Sequence, residues 1–382
     1  MYKGKGSIDD YLLFGYDTGA SLITNAFYSP SRFYKGEPTT NQAPISFADW
    51  GTEGSAQRIA TNSTYRGQPT FNCRTTVGES YRGIDKTISQ LRTSAGSSGT
   101  VTMSCFIRNN NSTAYPCYAY IGHDFSSTRT IAANSDWQQI QWTVNQSSMN
   151  NDYVEFRPYT NNADTYLEMT MPQVEVNKGH ATQHTTGTRS TSDSLTDIKK
   201  NKTIDLTNAG YNSNAQPYFN GTSNYINITN YTHHQSTAGT IEAVVKLDTI
   251  SGNRYIFGAG GTGTYGASRA LRVNSNYWGI VTYGSGTEDW STGVAASTTD
   301  WQHVAFGWSG TTVYFYINGV RTSTTRTGLV KPLGTLLRVG MPPWSVSSAS
   351  HGEIPIIRHY STVLTEAEMK LNFEQIRQRF GI

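Results

Sequence analysis

The stretch DWQHVAFGWSGTTVYFYINGVRT, Asp300 to Thr322, decides how this chain is read. Val304, Phe306 and Trp308 alternate with smaller or polar residues, and Val313, Phe315 and Ile317 repeat the alternation one segment later. A period of two places each set on one face of a strand. Asn318-Gly319 accepts the positive φ angles of a type I′ turn, so the stretch predicts a meander of three strands. Its opening edge, Asp300-Trp301-Gln302, has an echo far upstream in DWQQIQWTV, Asp136 to Val144. One strand opening used twice predicts two β modules.

Composition agrees. Charged residues make up only 15% of the chain, while 36 Gly and 24 Tyr accompany many Thr, Ser and Asn, which suits sheets joined by tight turns and leaves little for helix. With 382 residues there is room for two or three domains of roughly 100 to 200 residues each. Thirty Lys and Arg against 27 Asp and Glu give a net +3 with no basic run to neutralise a phosphate backbone, so nucleic acid is not an expected partner. MYKGKGSIDDYLLFGYD carries charges and Gly where a secretory signal would be apolar, and nowhere do about 18 apolar residues run together. Synthesis in a cytoplasm and no membrane partner are the expectations. Cys73, Cys105 and Cys117 are odd in number and lack CxxC or Cys/His spacing, and are read as buried free thiols.

Along the chain, residues 1–45 lack a long periodic segment and carry Pro30, Pro38 and Pro44. They are read as an extended N-terminal arm. Its clusters Tyr11-Leu12-Leu13-Phe14 and Phe27-Tyr28 fit no helical or strand period and are read as anchors that need a partner surface. Over 46–187 short alternating runs such as TVTMSCFIR, PCYAYIG and DYVEFRPY, separated by Asn, Ser and Gly, predict a first sandwich or jelly roll. A tract too polar to own a core, TQHTTGTRSTSDSLTD, marks a linker, taken with a lead-in strand over 188–216. A second sandwich spans 217–382, where Ile241, Ala243, Val245 and Leu247 of GTIEAVVKL share one face. One helix closes the chain. Thr365 caps it, Glu368 completes a capping box, Leu364 staples onto Met369, and Met369, Phe373, Ile376 and Phe380 form its apolar stripe. The predicted fold class is all-β: two antiparallel β-sandwich (jelly-roll) domains with an N-terminal arm and one C-terminal helix.

The segments YFNGTSNYINI, GTIEAVVKL, DWQHVAFGWSGTTVYFYINGVR, LLRVG and HYSTVLTEAEMKLNFEQIRQRFGI, in this order over about 217 to 382, resemble a laminin-G-like domain of the concanavalin A-like lectin and glucanase fold. The capped helix followed by RQRFGI is similar to the close of bacteriophage virion proteins of fibre or decoration type. DWQQIQWTV and YLEMTMPQVEVNKGHATQHTTGTRS resemble the β-sandwich modules grouped with carbohydrate-binding modules. The chain departs from the laminin-G-like pattern in GEIPIIRHY, Gly352 to Tyr360, where Pro355 and Ile356 replace acids common in the family, so no metal and no cofactor are assigned.

Glycan cleavage needs paired carboxylates flanking one bond, and Glu288-Asp289 as strand neighbours point to opposite faces. No Gly-x-Ser-x-Gly elbow, HExxH or P-loop is present, and His233-His234 reads as a loop pair. Glycan binding needs aromatic faces beside amides and carboxylates, which points to Tyr265, Tyr277, Trp278, Tyr283, Glu288, Asp289, Trp290 and Trp344, with Trp344 as the exposed one. The resemblance implies a non-enzymatic phage virion surface protein, a head decoration or tail fibre component. It is expected to be homo-oligomeric among other virion structural proteins and to contact host glycans. A glycan-binding adhesin or receptor-binding protein is the alternative, and a glycan-cleaving enzyme comes third.

Overall fold

The computed structural model describes residues 11–18, 36–75, 83–122, 124–125, 127–160, 164–214, 216–232, 237–261, 268–283, 287–325, 335–345 and 347–382, with backbone alone at 125, 192, 287, 288 and 322–325. The chain divides into two compact units: Pro38–Arg189 with Ser213–Ala215, and Met1–Glu37 with Ser190–Asn212 and Gln216–Ile382. Both are built of antiparallel sheets, and the all-β class with one long C-terminal helix holds. Among the described residues no helix is long and apolar enough to cross a membrane.

The strand β1 (Leu12–Asp17) belongs to the C-terminal unit and is described with it. In the middle unit, β2 (Gln57–Tyr65), β3 (Gln68–Arg74), β5 (Thr100–Asn109), β7 (Ser135–Asn145) and β9 (Leu167–Val176) form a five-stranded sheet in the order β7-β5-β9-β3-β2. Facing it, β4 (Ile84–Thr87), β6 (Tyr115–Ile121) and β8 (Tyr153–Pro158) lie in the order β6-β8-β4, extended by short strands. Alternation sends Val101, Met103, Cys105 and Ile107 from one sheet against Cys117, Ala119, Ile121, Val154 and Phe156 from the other, with Trp142 between them. All three cysteines are free and buried in this core, and burial pushes their thiols up.

In the C-terminal unit an eight-stranded sheet includes, in order, β10 (Pro217–Asn220), β21 (His351–Tyr360), β12 (Ala238–Leu247), β17 (Gln302–Ser309), β18 (Thr312–Ile317) and β19 (Val320–Thr325). A seven-stranded sheet includes β11 (Ile226–Ile228), β20 (Leu336–Val339), β13 (Asn253–Gly260), β14 (Ser268–Asn274), β15 (Tyr277–Tyr283) and β16 (Thr287–Ala295). The expected meander is β17-β18-β19, and its Asn318-Gly319 turn takes φ of 48° and 79°. Val304, Phe306 and Trp308 enter the core between the sheets, as Ile140, Trp142 and Val144 do in the middle unit. In both copies of the repeated edge the Trp itself lies off that core. Trp301 packs on Phe380 with ring centroids 4.9 Å apart, and Trp137 stacks on Tyr65 at 4.7 Å.

The reading of residues 1–45 as an arm outside the modules is corrected over Leu12–Asp17. This segment pairs antiparallel with β21, Leu12 opposite Tyr360 and Asp17 opposite Ile356. A register shift between Leu12 and Phe14 hid the strand period. Leu12, with Tyr11 packed against its cluster, joins Tyr316, Tyr360 and Met369 on one side of the sheet, while Phe14 and Tyr16 enter the core on the other. Leu13 is half-buried, and Phe27 and Tyr28 lie outside the described residues. The linker reading also changes, because Leu195, Ile204 and Leu206 of Ser190–Asn212 sit in the C-terminal core.

The helix α1 (Glu366–Phe380) has its Thr365–Glu368 capping box in place, and Leu364 and Met369 share one buried cluster. Its stripe differs from expectation at one turn. Phe373 is half-buried and stacks over His303, while Asn372 takes the buried slot at 3% exposure. Beneath it lies Glu242, whose carboxylate accepts from His303 Nε2 at 3.1 Å, Arg358 at 3.0 Å, Tyr360 at 2.9 Å and Asn372 at 3.1 and 3.2 Å.

Candidate functional site

The Glu242 cluster gathers a carboxylate, a histidine, an arginine and a tyrosine, yet Glu242 and His303 are fully buried and Tyr360 and Asn372 nearly so. No ligand reaches it. Burial alone would raise the Glu242 carboxyl, but hydrogen bonding from His303 and the charge of Arg358 hold it at about 2. The cluster fastens the helix.

The other candidate is the outer face of the seven-stranded sheet, where Arg272 and Tyr255 are buried and Asp289 is 40% exposed. Register sets its pattern: Arg272 lies opposite Tyr255 and Gly279, Ala270 opposite Gly258 and Val281, and Val281 opposite Asp289. Ala270 and Val281 make a shallow floor, and Tyr255 and Tyr283 stand on either side of it. Trp344, from the loop after β20, fills the trough. Its ring centroid is 5.7 Å from Tyr255 at an interplanar angle of 90° and 5.2 Å from Tyr283 at 69°. Beside it, Arg272 donates to Asn253 Oδ1 at 2.6 Å and to the Tyr255 hydroxyl at 3.3 Å, and pairs with Asp289. Burial works to lower the Arg272 pKa, but hydrogen bonding to Asp289 raises it overall, and burial pushes the Tyr255 hydroxyl up. The guanidinium is therefore a fixed cation.

Of the eight residues expected to hold a glycan, Tyr283, Asp289 and Trp344 meet at this trough. Tyr277 lies on the same face toward the start of β15, 47% exposed. Trp278 and Trp290 are corrected: both belong to the core between the sheets, because strand alternation turns residues 278 and 290 inward when 277 and 289 turn outward. Trp278 spends its N–H on Gln302 Oε1 at 3.2 Å. Trp344 is corrected too, being 7% exposed where it was expected to be open. Glu288 is described only as backbone opposite Thr282, and Tyr265 lies outside the described residues, as does His233-His234.

Sequence reasoning missed Tyr255, Asn253 and Arg272. Arg272 was legible, since Ala270 and Arg272 alternate with Leu271 and Val273. Tyr255 was not. A register shift between Tyr255 and Phe257 turns the two rings to opposite sides of a strand in which simple alternation would have put them together. The arrangement suits recognition: ring edges, a fixed guanidinium, an amide and a carboxylate already committed to an ion pair. Among the described residues no group of three or more His, Cys, Asp or Glu is placed to hold a metal ion.

Residues 219–370 match the family model of the concanavalin A-like lectin/glucanases superfamily. That stretch carries most strands of both sheets of the C-terminal unit and the first turn of the helix. No curated protein matches the chain. Solved structures similar to it include the CBM40 of the Ruminococcus gnavus IT-sialidase, at 15% identity over 37% of this chain and 84% of that one, TM-score 0.32. Domain 4 of AbnA, a GH43 extracellular arabinanase from Geobacillus stearothermophilus in complex with arabinotriose, is 20% identical over 46% of this chain and 91% of that one, TM-score 0.37. The binding domain of botulinum neurotoxin DC in complex with SialylT is 10% identical over 48% and 49%, TM-score 0.39.

Proposed function

We propose that this chain is a non-enzymatic bacteriophage virion surface protein whose C-terminal unit binds a host glycan on the outer face of its seven-stranded sheet. One observation carries the binding reading: on the outer face of the sheet Tyr283, Asn253 and Asp289 reach the surface around a buried group of Tyr255, Arg272 and Trp344. Sugars are held by aromatic surfaces for their C–H faces and by polar groups for their hydroxyls, and this face brings both kinds together, with Asn253, Tyr283 and Asp289 at its surface. The family match over 219–370 supports it.

Binding is favoured over cleavage because Asp289 is committed to Arg272, and Glu242 is buried beneath α1. Hydrolysis would require two carboxyls free to exchange protons about a single glycosidic bond. The virion role rests on the resemblance of the closing segment HYSTVLTEAEMKLNFEQIRQRFGI to phage virion proteins. Anchoring is not assigned to Leu12 and Phe14, which are used inside the C-terminal unit, and a homo-oligomer on the particle is kept as part of the proposal.

Two experiments test it. Density for the chain on the outside of an intact particle, located by electron microscopy, supports the virion role, and its absence from purified particles overturns that role. A glycan array probed with the full chain supports the binding role if it gives saturable hits, and a blank array overturns it.

A further inference from the structure

We propose that Trp344 is a built-in occupant of the glycan trough: the tip of its loop lifts, the indole leaves its seat between Tyr255 and Tyr283, and a pyranose ring of the bound glycan takes its place. This rests on the glycan-binding reading above and adds its regulation.

The loop runs from Gly340 to Ser350, and its ends are pinned. Ser350 N donates to Gly340 O at 2.7 Å, Gly340 N to Ile256 O at 2.8 Å, Ser350 Oγ to Tyr255 O at 2.7 Å, and Tyr255 N to Ser348 O at 3.1 Å. Such a loop, closed at its base, can move its tip without disturbing the sheet. The tip is held differently. Pro343 rests on Gly258, where an added Cβ would come within 2.7 Å of its Cδ, and Arg338 donates to Pro342 O at 3.3 Å. Ser345 N to Pro342 O at 3.4 Å and the Ser345–Ser347 hydroxyl pair at 2.7 Å are bonds within the tip itself.

Trp344 is 7% exposed, and its indole makes no hydrogen bond to the described residues. The indole is held in the trough by its contacts with the rings of Tyr255 and Tyr283 and with Gly258, and another ring can displace it. The hinges are available. Gly340 has φ 83°, a conformation that glycine adopts without strain, and a side chain there would run into the Phe219 ring; at the far end Ser348 has φ 67°. Pro342-Pro343 stiffens the stretch between hinge and indole, so that it swings as one piece. Displacing the indole lowers the apparent affinity of the trough by the fraction of chains in which it is already out, and removing the indole restores that affinity.

The test compares the full chain with Trp344→Gly on a printed array of neutral and acidic oligosaccharides, followed by titration with the strongest array hit and by hydrogen exchange over residues 341–350 with and without it. The expected result is at least tenfold tighter binding by the variant, and faster exchange around Trp344 in the unaltered chain when sugar is bound. Equal or weaker binding by a variant that melts normally makes Trp344 part of the binding wall, which overturns the gate and leaves the glycan reading standing. A blank array for both proteins overturns both. If the variant does not fold, the exchange decides: slower exchange on sugar binding contradicts the lifted loop, and faster exchange supports it.

Discussion

Asn372 Nδ2 donates to both carboxylate oxygens of Glu242, at 3.2 and 3.1 Å, and so ties the C-terminal helix to the middle of the eight-stranded sheet. The helix is fastened by a polar bond at the centre of its apolar stripe. Replacing Asn372 with Leu keeps the size and removes the donor. Leaving buried carboxylate oxygens short of a partner costs about 1 to 3 kcal/mol, which for a unit of this size lowers the melting temperature by several degrees. An unchanged melting temperature would show that the remaining donors fill the gap.

Acid should loosen the same joint. The Glu242 carboxyl is held at about 2 against its usual 4.5. A depressed folded pKa gives stability that is complete above the unfolded value and lost as pH falls through the folded one, so the C-terminal unit should weaken between about pH 4.5 and 2. The linked loss is roughly 3 kcal/mol if the whole shift is realised. Glu242→Gln should flatten that part of the stability curve while lowering stability at neutral pH. Denaturant melts at a series of pH values check both.

The N-terminal strand makes a prediction opposite to that of a detachable arm. Phe14 and Tyr16 are fully buried, Tyr16 donates to Ile354 O at 2.9 Å, and Asp17 pairs with Arg379 at 2.7 and 2.8 Å. Phe14→Ala should cost about 3 to 5 kcal/mol, as for other buried aromatics cut to alanine. A chain beginning at Pro44 should melt well below the full one. Equal melting would return Leu12–Asp17 to the arm.

Trp278 and Trp290 should act on stability rather than on glycan affinity. Trp278→Ala empties a fully buried site and leaves Gln302 Oε1 with Ser297 N as its remaining donor, for a loss of about 3 to 5 kcal/mol. Sugar binding measured well below the melting temperature should not change. A selective loss of binding without destabilisation would place the ring in the site after all.

Much of this was legible from period and turn chemistry. Val304, Phe306 and Trp308 with the Asn318-Gly319 turn gave the meander, and Thr365 with Glu368 gave the cap, because these signals are local. What failed depended on distant partners. Leu12–Asp17 showed no period because one register shift splits its side chains between two clusters, and its partner strand is His351–Tyr360 at the other end of the chain. The stripe was assigned to Phe373, and Asn372 takes the buried slot because Glu242 lies beneath it. At the site, aromatic composition picked the right neighbourhood and the wrong faces. Parity along β15 and β16 separates Tyr283 and Asp289 from Trp278 and Trp290, and that parity could have been applied to the sequence. The place of Trp344 could not, since only the fold shows which sheet its loop crosses.

The central claim is that the outer face of the seven-stranded sheet recognises a glycan through Arg272 and the rings around it. The direct measurement is array binding and titration of the full chain beside Arg272→Gln, both checked to melt in the same range. The account requires saturable binding by the unaltered chain and a loss of about tenfold to a hundredfold in the variant, the scale of a charged hydrogen bond. Binding that survives Arg272→Gln undiminished would contradict it.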